Sequence, residues 1–165
     1  MFALGIDPGL SRCGYGAVRS NGAELRCVAF GHLTTPVDAP LATRLGVLLA
    51  DLEDLLDELR PEVVVVERVL FQVNARTAMS VGQASGLALA SAARRGIEVA
   101  QYSPNEVKQA VAGYGSADKL AVATMVATLL GLASPPTPAD RADALALAVT
   151  HLAGAALRAA EASLR

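Results

Sequence analysis

The sequence predicts an α/β fold in which a mixed five-stranded sheet carries helices on both faces. Two turn signals, Pro8-Gly9 and Asn21-Gly22, divide residues 2–34 into three strands of an antiparallel meander. Residues 63–66 form a continuous β-branched run, which is typical of a strand buried on both faces. Helical and strand patterns alternate after that run, and such crossovers join parallel strands and cover both faces of a sheet.

The strands follow from the side-chain patterns. Phe2, Leu4 and Ile6 alternate with small or polar residues, which predicts a strand with a period of two. The five strands are predicted over residues 2–7, 13–20, 23–34, 63–66 and 98–102.

The Asn21-Gly22 turn also fixes the expected state of the two cysteines. A two-residue turn there pairs Gly16 with Cys27 and places Cys13 opposite Phe30. In that register the two thiols lie on opposite faces of the sheet, where no disulfide can join them. A bulge would shift this register, but reduced thiols remain the expected state.

The helices are delimited by their capping signals. Leucines at helical spacing predict a first helix that Pro61 closes, and Gly96 ends the second. The third opens with a capping box from Ser103 to Glu106. The five helices are predicted over residues 42–59, 75–95 and 104–112, from a Ser116 cap to Gly131, and from Thr137-Pro138 into the C-terminus.

Composition indicates one globular domain over residues 1–165, with 53% hydrophobic and 18% charged residues. The longest apolar stretch, residues 120–133, is shorter than the roughly 20 residues that span a bilayer. The first residues carry no basic region of a secretory signal. We therefore expect a soluble, cytoplasmic protein that does not bind membranes.

Charge is distributed unevenly along the chain. The net charge is −2 overall, but it is −5 over residues 1–67 and +3 over residues 68–119. The second segment contains Arg76, Lys108 and Lys119, so the sequence permits a local basic surface for nucleic acid without requiring one.

Four acidic residues are the candidates for chemistry. Asp7 and Glu67 end two strands that we expect to be parallel, and open α/β sheets build their sites at such ends. Asp140 and Asp143 are three residues apart, so they share one face of the last helix. Converging carboxylates need hard cations such as Mg²⁺ or Mn²⁺, and two ions about 4 Å apart can hydrolyse a phosphodiester.

Three of these acids also have purely structural interpretations. Asp140 follows a Thr137 cap in the first helical turn, where an acid favours the helix dipole. Asp7 is a common type of residue to open a turn, and Glu67 can end a strand or pair with Arg68. A structural role is harder to assign to Asp143, which lies past the first turn among apolar residues, with no basic residue three or four positions further on.

Four blocks, "GIDPG", "VVVVERV", "VKQAVAGYGSADK" and "ADRADALALAVTH", together resemble the RuvC family of bacterial Holliday-junction resolvases. The resemblance covers nearly the whole chain. It implies a ribonuclease-H-like fold, with Asp7, Glu67, Asp140 and Asp143 as catalytic acids that bind two Mg²⁺ or Mn²⁺ ions. It further implies a homodimer that cuts two opposed strands of four-way junction DNA alongside the RuvA and RuvB branch-migration proteins.

The same resemblance implies DNA-binding residues. It places Lys108 and a catalytic Lys119 near the scissile phosphate, although spacing alone also fits solvated helix lysines. Arg76 is a further candidate. The family has aromatic residues that touch unpaired bases where this chain has Leu70 and Phe71, so only Phe71 can stack; a core position under the second helix is the alternative.

Two other classes of function fit the sequence less well. An actin-like ATPase needs two such domains, and no Walker A or G-x-G-x-x-G motif follows a strand here. A non-catalytic nucleic-acid-binding module would not need the four acids. His32 and His151 are expected to be core residues. The second helix offers a close-packing face for a dimer, made of Ala78, Gly82, Ser85, Gly86 and Leu89.

Overall fold

The structure is a computed structural model that describes residues 1–22, 24–68 and 75–163, without the side chains of 75–77 and 158–163. The strands in this part of the chain are β1 (Phe2–Asp7), β2 (Arg12–Asn21), β3 (Glu24–Thr34), β4 (Val63–Glu67) and β5 (Glu98–Tyr102). The helices are α1 (Leu41–Leu59), α2 (Ala75–Arg94), α3 (Pro104–Ala112), α4 (Lys119–Leu130) and α5 (Ala139–Ser163).

The strands form one mixed sheet in the order β3-β2-β1-β4-β5. The first three strands pair antiparallel, while β4 runs parallel to both β1 and β5. This arrangement confirms the predicted five-stranded mixed sheet. It also places the carboxyl ends of β1 and β4 at the same edge, which we call the acid edge because Asp7 and Glu67 end these strands.

Helices cover both faces of the sheet, as predicted. Side chains of α3, α4 and α5 pack on one face together with Val63 and Val65. Side chains of α1 and α2 pack on the other face together with Val64 and Val66. The β-branched run of β4 is therefore buried on both sides, and its four valines are each no more than 1% exposed.

Glycines let α5 lie directly on the sheet. A Cβ atom at Gly5 would overlap the carbonyl oxygen of Ala144, and one at Gly14 would overlap the carbonyl oxygen of Asp140. Only glycine permits such a close approach of a helix backbone to a strand. The first turns of α5 are consequently held against β1 and β2.

The predicted register of the hairpin is wrong. Asn21 pairs with Glu24, so Asn21 belongs to the strand and the turn begins at Gly22, whose φ of 67° suits glycine. A bulge between Ala17 and Val18 then shifts the pairing again, so that Val18 faces Cys27 and Cys13 faces Leu33. The two cysteines nevertheless pack on opposite faces, and both thiols are free, as predicted.

Two helix starts differ in how well the sequence predicted them. The Ser103 capping box is confirmed, with reciprocal bonds between Ser103 and Glu106. The Ser116 cap is wrong, because α4 begins at Lys119 and Asp118 accepts a hydrogen bond from the backbone of Ala121 at 2.7 Å. Within the described residues, no helix combines the length and apolarity that crossing a membrane requires.

Candidate active site

Three of the four predicted acids line one cleft at the acid edge. Asp7, Glu67 and Asp143 face a cavity of about 120 Å³, which we call the acid cleft. Lys108 and Lys119, which the family resemblance places near the scissile phosphate, also line it. Its remaining lining residues are apolar, and they are Pro104, Val107, Val122 and Leu147.

The fold explains why these acids meet. Ile6 of β1 pairs with Val66 of β4, so the next residue of each strand, Asp7 or Glu67, emerges at the same level. Asp143 reaches them because the glycine contacts hold the first turns of α5 on β1 and β2. Side chains from three elements that are distant in sequence therefore converge in one place.

Electrostatics in the acid cleft are unfavourable for further negative charge. Burial, and after it the carboxylates of Asp143, Glu67 and Asp140, together raise the pKa of Asp7 to about 7, while Lys119 opposes them. Burial and Asp143 likewise raise the pKa of Glu67, again against Lys119. The acids thus repel one another at a site that is partly withdrawn from water.

Lys119 is the cation closest to these acids in the described part of the chain. Its Nζ lies 2.8 Å from Oδ2 of Asp143, and this hydrogen bond raises the pKa of Lys119. The Lys119 side chain is 76% exposed and that of Asp143 is 28% exposed. The lysine therefore stands between the acids and solvent.

Asp140 lies beside the acid cleft and not in its lining. Its Oδ2 is 3.3 Å from Nη1 of Arg12, at the start of β2. Asp140 still contributes to the raised pKa of Asp7, so it belongs to the same electrostatic cluster. Arg12 was not among the predicted site residues, although the hairpin returns the chain to the acid edge directly after the turn that follows Asp7.

Comparison with known proteins identifies the family. The profile described as "Crossover junction endodeoxyribonuclease RuvC" matches residues 3–151. The chain belongs to the RuvC family. It is 53% identical over 153 residues to the crossover junction endodeoxyribonuclease RuvC of Streptomyces avermitilis, covering 92% of this chain and 87% of that relative.

Solved structures of the RuvC family share the fold. The Thermus thermophilus RuvC structure matches with a TM-score of 0.87 at 39% identity, covering 96% of this chain and 97% of that one. T. thermophilus RuvC in complex with a Holliday junction substrate matches with a TM-score of 0.89 at 38% identity, covering 96% of each chain. These matches confirm the ribonuclease-H-like fold, and membership of this endonuclease family decides against the ATPase alternative.

RuvC nucleases depend on divalent metal ions in general. Carboxylates are the ligands that Mg²⁺ and Mn²⁺ prefer. Burial and then repulsion from the other acids raise the pKa of Asp7, and a cation would relieve that repulsion. Among the described residues, no three Asp, Glu, His or Cys side chains stand in a ready-made metal cluster. The carboxylate ligands fit a divalent metal ion. Two of the acids are each paired with a basic side chain, Asp143 with Lys119 and Asp140 with Arg12.

The remaining predicted site residues are only partly described. Leu70, Phe71 and the side chain of Arg76 lie outside the described residues, so their roles stay predictions. The expectation of a core histidine is confirmed for His151, which is buried, with its Nδ1 3.1 Å from the Tyr102 hydroxyl. The same expectation is wrong for His32, which lies on the edge strand β3 and is only half-buried. Its Nδ1 accepts a hydrogen bond from Nε of Arg141.

Proposed function

We propose that this chain cleaves four-way DNA junctions, using Asp7, Glu67, Asp140 and Asp143 to hold two Mg²⁺ or Mn²⁺ ions. One observation carries the proposal: three of these acids line a single cleft, and the fourth adds to the electrostatic field at Asp7. Family membership supports the reaction class. Resemblance to a relative solved with a Holliday junction substrate supports the choice of DNA.

The chain's own residues divide the work at the acid cleft. Ions bound there would supply an activated water and stabilise the leaving oxygen of the phosphodiester. Asp7 and Glu67 are fixed by the strand ends that carry them, so they provide the rigid side of the site. Lys119 faces solvent beside Asp143 and would contact the phosphate, because its ammonium lies at the mouth of the cleft.

The direct test is cleavage of a synthetic four-way junction beside a plain duplex of the same sequence, with and without Mg²⁺. We expect metal-dependent cuts in the junction only, leaving 5′-phosphate and 3′-hydroxyl ends. Asp7→Asn, Glu67→Gln and Asp143→Asn should abolish cutting while junction binding stays equal or tightens, since each removes a negative charge that faces DNA. An Asp7→Asn protein that cuts at the wild-type rate would contradict the mechanism.

The two lysines of the cleft should separate binding from cleavage. Lys108→Ala should weaken junction binding to a similar extent for all sequences, because phosphate contacts orient a protein on DNA without reading its sequence. The slope of log affinity against log salt concentration should become shallower by about one. Lys119→Ala should reduce cleavage more than binding. Gel-shift titrations at several salt concentrations, paired with single-turnover rates, measure both effects. A change of preferred cut site in Lys108→Ala would contradict this assignment.

We further propose a homodimer that works with the RuvA and RuvB branch-migration proteins, since two symmetric cuts require two sites related by a two-fold axis. The geometry of α2 supports this. Ala84, Ala88 and Ala92 are buried on the sheet side of the helix, whereas Met79 is 64% exposed and Gly86 has open space beside it. Ser85 does not belong to the outer face, because it is buried.

A further inference from the structure

The turn that follows Asp7 is held by side chains from other parts of the chain. Residues 8–11, which we call the Asp7 turn, include the buried Leu10, whose carbonyl oxygen accepts a hydrogen bond from Oγ1 of Thr35 at 2.6 Å. Arg44 of α1 donates from Nε to the same Thr35 hydroxyl at 2.9 Å and from Nη2 to Oγ of Ser11 at 2.7 Å. One guanidinium therefore supports two successive residues of the turn.

The chemistry of this contact requires these side-chain types. The Thr35 hydroxyl accepts from Arg44 and donates to Leu10, so both of its functions are used in a buried position. Bonds linked in this way strengthen one another. Within the described residues, Arg44 forms no ion pair, and its fork spans two hydroxyl groups instead, which the single ammonium of a lysine does not reproduce.

The Asp7 turn connects two groups of the acid site. It begins after Asp7 and ends just before Arg12, the residue whose Nη1 lies 3.3 Å from Oδ2 of Asp140. The turn is tight, because a Cβ at Gly9 would overlap the carbonyl oxygen of Arg12. A displacement of the turn would therefore move the carboxylate of Asp7 and the guanidinium of Arg12 together.

We propose that Thr35 and Arg44 are positioning residues for the acid site: they fix the Asp7 turn, and through it Asp7 and the pair of Arg12 with Asp140. The inference rests on the proposed function of that site. Neither residue lines the acid cleft, so neither is expected to touch the reacting atoms. Misplacing reacting groups by about 1 Å can cost on the order of 10²-fold in rate, which sets the scale of the expected effect.

The test uses variants that remove the bonds without removing bulk. Thr35→Val deletes the hydroxyl at nearly constant shape, Thr35→Ser retains it, and Arg44→Lys retains the charge but loses the fork. Single-turnover cleavage of the junction is measured with protein in excess and saturating Mg²⁺, and junction affinity is measured separately in EDTA. We expect Thr35→Val and Arg44→Lys to cut about 10-fold to 100-fold more slowly, and Thr35→Ser within about 3-fold of wild type. Junction affinity should stay within about 2-fold throughout, since no DNA contact changes.

A matched control is available in Thr150. Its buried hydroxyl also donates to a backbone carbonyl, that of Ala146 at 2.7 Å, but this bond stays within α5. Thr150→Val makes the same chemical change at similar burial without touching the Asp7 turn. We expect it to cut at the wild-type rate. Thermal unfolding of every variant shows that the rates are compared between folded proteins.

Each outcome decides the inference. Wild-type rates in folded Thr35→Val and Arg44→Lys would overturn it, as would equal slowing in Thr150→Val. Weaker junction binding in Arg44→Lys, at an unchanged rate, would show that Arg44 contacts DNA and would also overturn it. If Thr35→Val does not fold, Ser11→Ala removes the exposed acceptor and should slow cutting by a few-fold. A wild-type protein that does not cut junctions contradicts the proposed function, whereas the ratios between variants test this inference alone.

Discussion

At the scale of single residues, Asp7 combines a cost in stability with its proposed catalytic role. Its pKa is about 7 in the folded chain, against 3.8 for an ordinary aspartate. The folded protein therefore binds this proton more tightly than the unfolded one. Stability contributed by the protonated form is fully present below about pH 4 and is lost as pH rises towards 7.

We therefore expect Asp7→Asn to be more stable than wild type at pH 8 and equal to it near pH 4, in EDTA throughout. The asparagine removes a charge that burial and neighbouring acids disfavour, a gain of about 1–3 kcal/mol after allowing for solvent screening, or roughly 2–10 °C in melting temperature. Thermal unfolding of both proteins at several pH values measures this difference in melting temperature. Asp54→Asn, an exposed carboxylate on α1, is the charge-matched control. A gain that does not vanish at low pH would contradict the explanation.

Phe71 is a second residue whose role can be tested, although it lies outside the described residues. A junction interrupts base stacking at the crossover, and an aromatic side chain that fills the gap is worth about 1–3 kcal/mol per base. We expect Phe71→Ala to lose junction cleavage while its melting temperature is unchanged, and Leu70→Phe to cut at least as well as wild type. A core position for Phe71 predicts instead a loss of about 3–5 kcal/mol in unfolding free energy. Thermal unfolding of Phe71→Ala distinguishes the two.

At the scale of elements, the placement of α5 decides how close the acids come. Gly14 pairs with Asp7 on β1 and lies under the Asp140 backbone on α5, so it is the point where strand and acid-bearing helix meet. Gly14→Ala should push the first turn of α5 outward and separate Asp143 from Asp7. We expect weaker Mn²⁺ binding to the free protein, measured by calorimetry, and cleavage slower by about 10²-fold.

The control for this change is Leu52→Ala, which opens a cavity in the core on the opposite face of the sheet. It should lower the melting temperature strongly and leave Mn²⁺ affinity close to wild type. Equal Mn²⁺ affinities in wild type and a folded Gly14→Ala would show that the glycine contact does not set the spacing of the acids.

The same scale shows what sequence patterns can and cannot predict. The run of valines in β4 and the capping box at Ser103 are local signals, and both are confirmed. The predicted hairpin register was wrong because Asn21 pairs with Glu24, which moves the turn, and because a bulge at Ala17 and Val18 shifts the pairing again. The convergence of Asp7, Glu67 and Asp143 was predictable from strand ends and helical spacing. The pairs of Arg12 with Asp140 and of Arg44 with Ser11 join residues 128 and 33 positions apart, and only the folded chain reveals them.

At the scale of the whole molecule, the proposed dimer makes a prediction about paired cutting. The outer side of α2 carries Met79, 64% exposed, beside glycines that allow a partner helix to approach closely. A charge buried in such an interface is strongly unfavourable, so Met79→Glu should dissociate the dimer. Each junction would then receive one cut at a time, and nicked intermediates would accumulate, although the acid cleft is unchanged.

Leu157→Glu is the matched control for this experiment, because Leu157 is also 62% exposed but lies on α5, away from α2. Sedimentation at micromolar concentration should give a dimer for wild type and Leu157→Glu, and a monomer for Met79→Glu. Cleavage of a junction on a supercoiled cruciform plasmid then separates linear products, which need two coordinated cuts, from nicked circles. A Met79→Glu protein that stays dimeric and yields linear product at the wild-type rate would place the interface elsewhere. A wild-type monomer, with and without junction DNA, would contradict the dimer itself, because a single acid cleft cannot face two opposed strands at once.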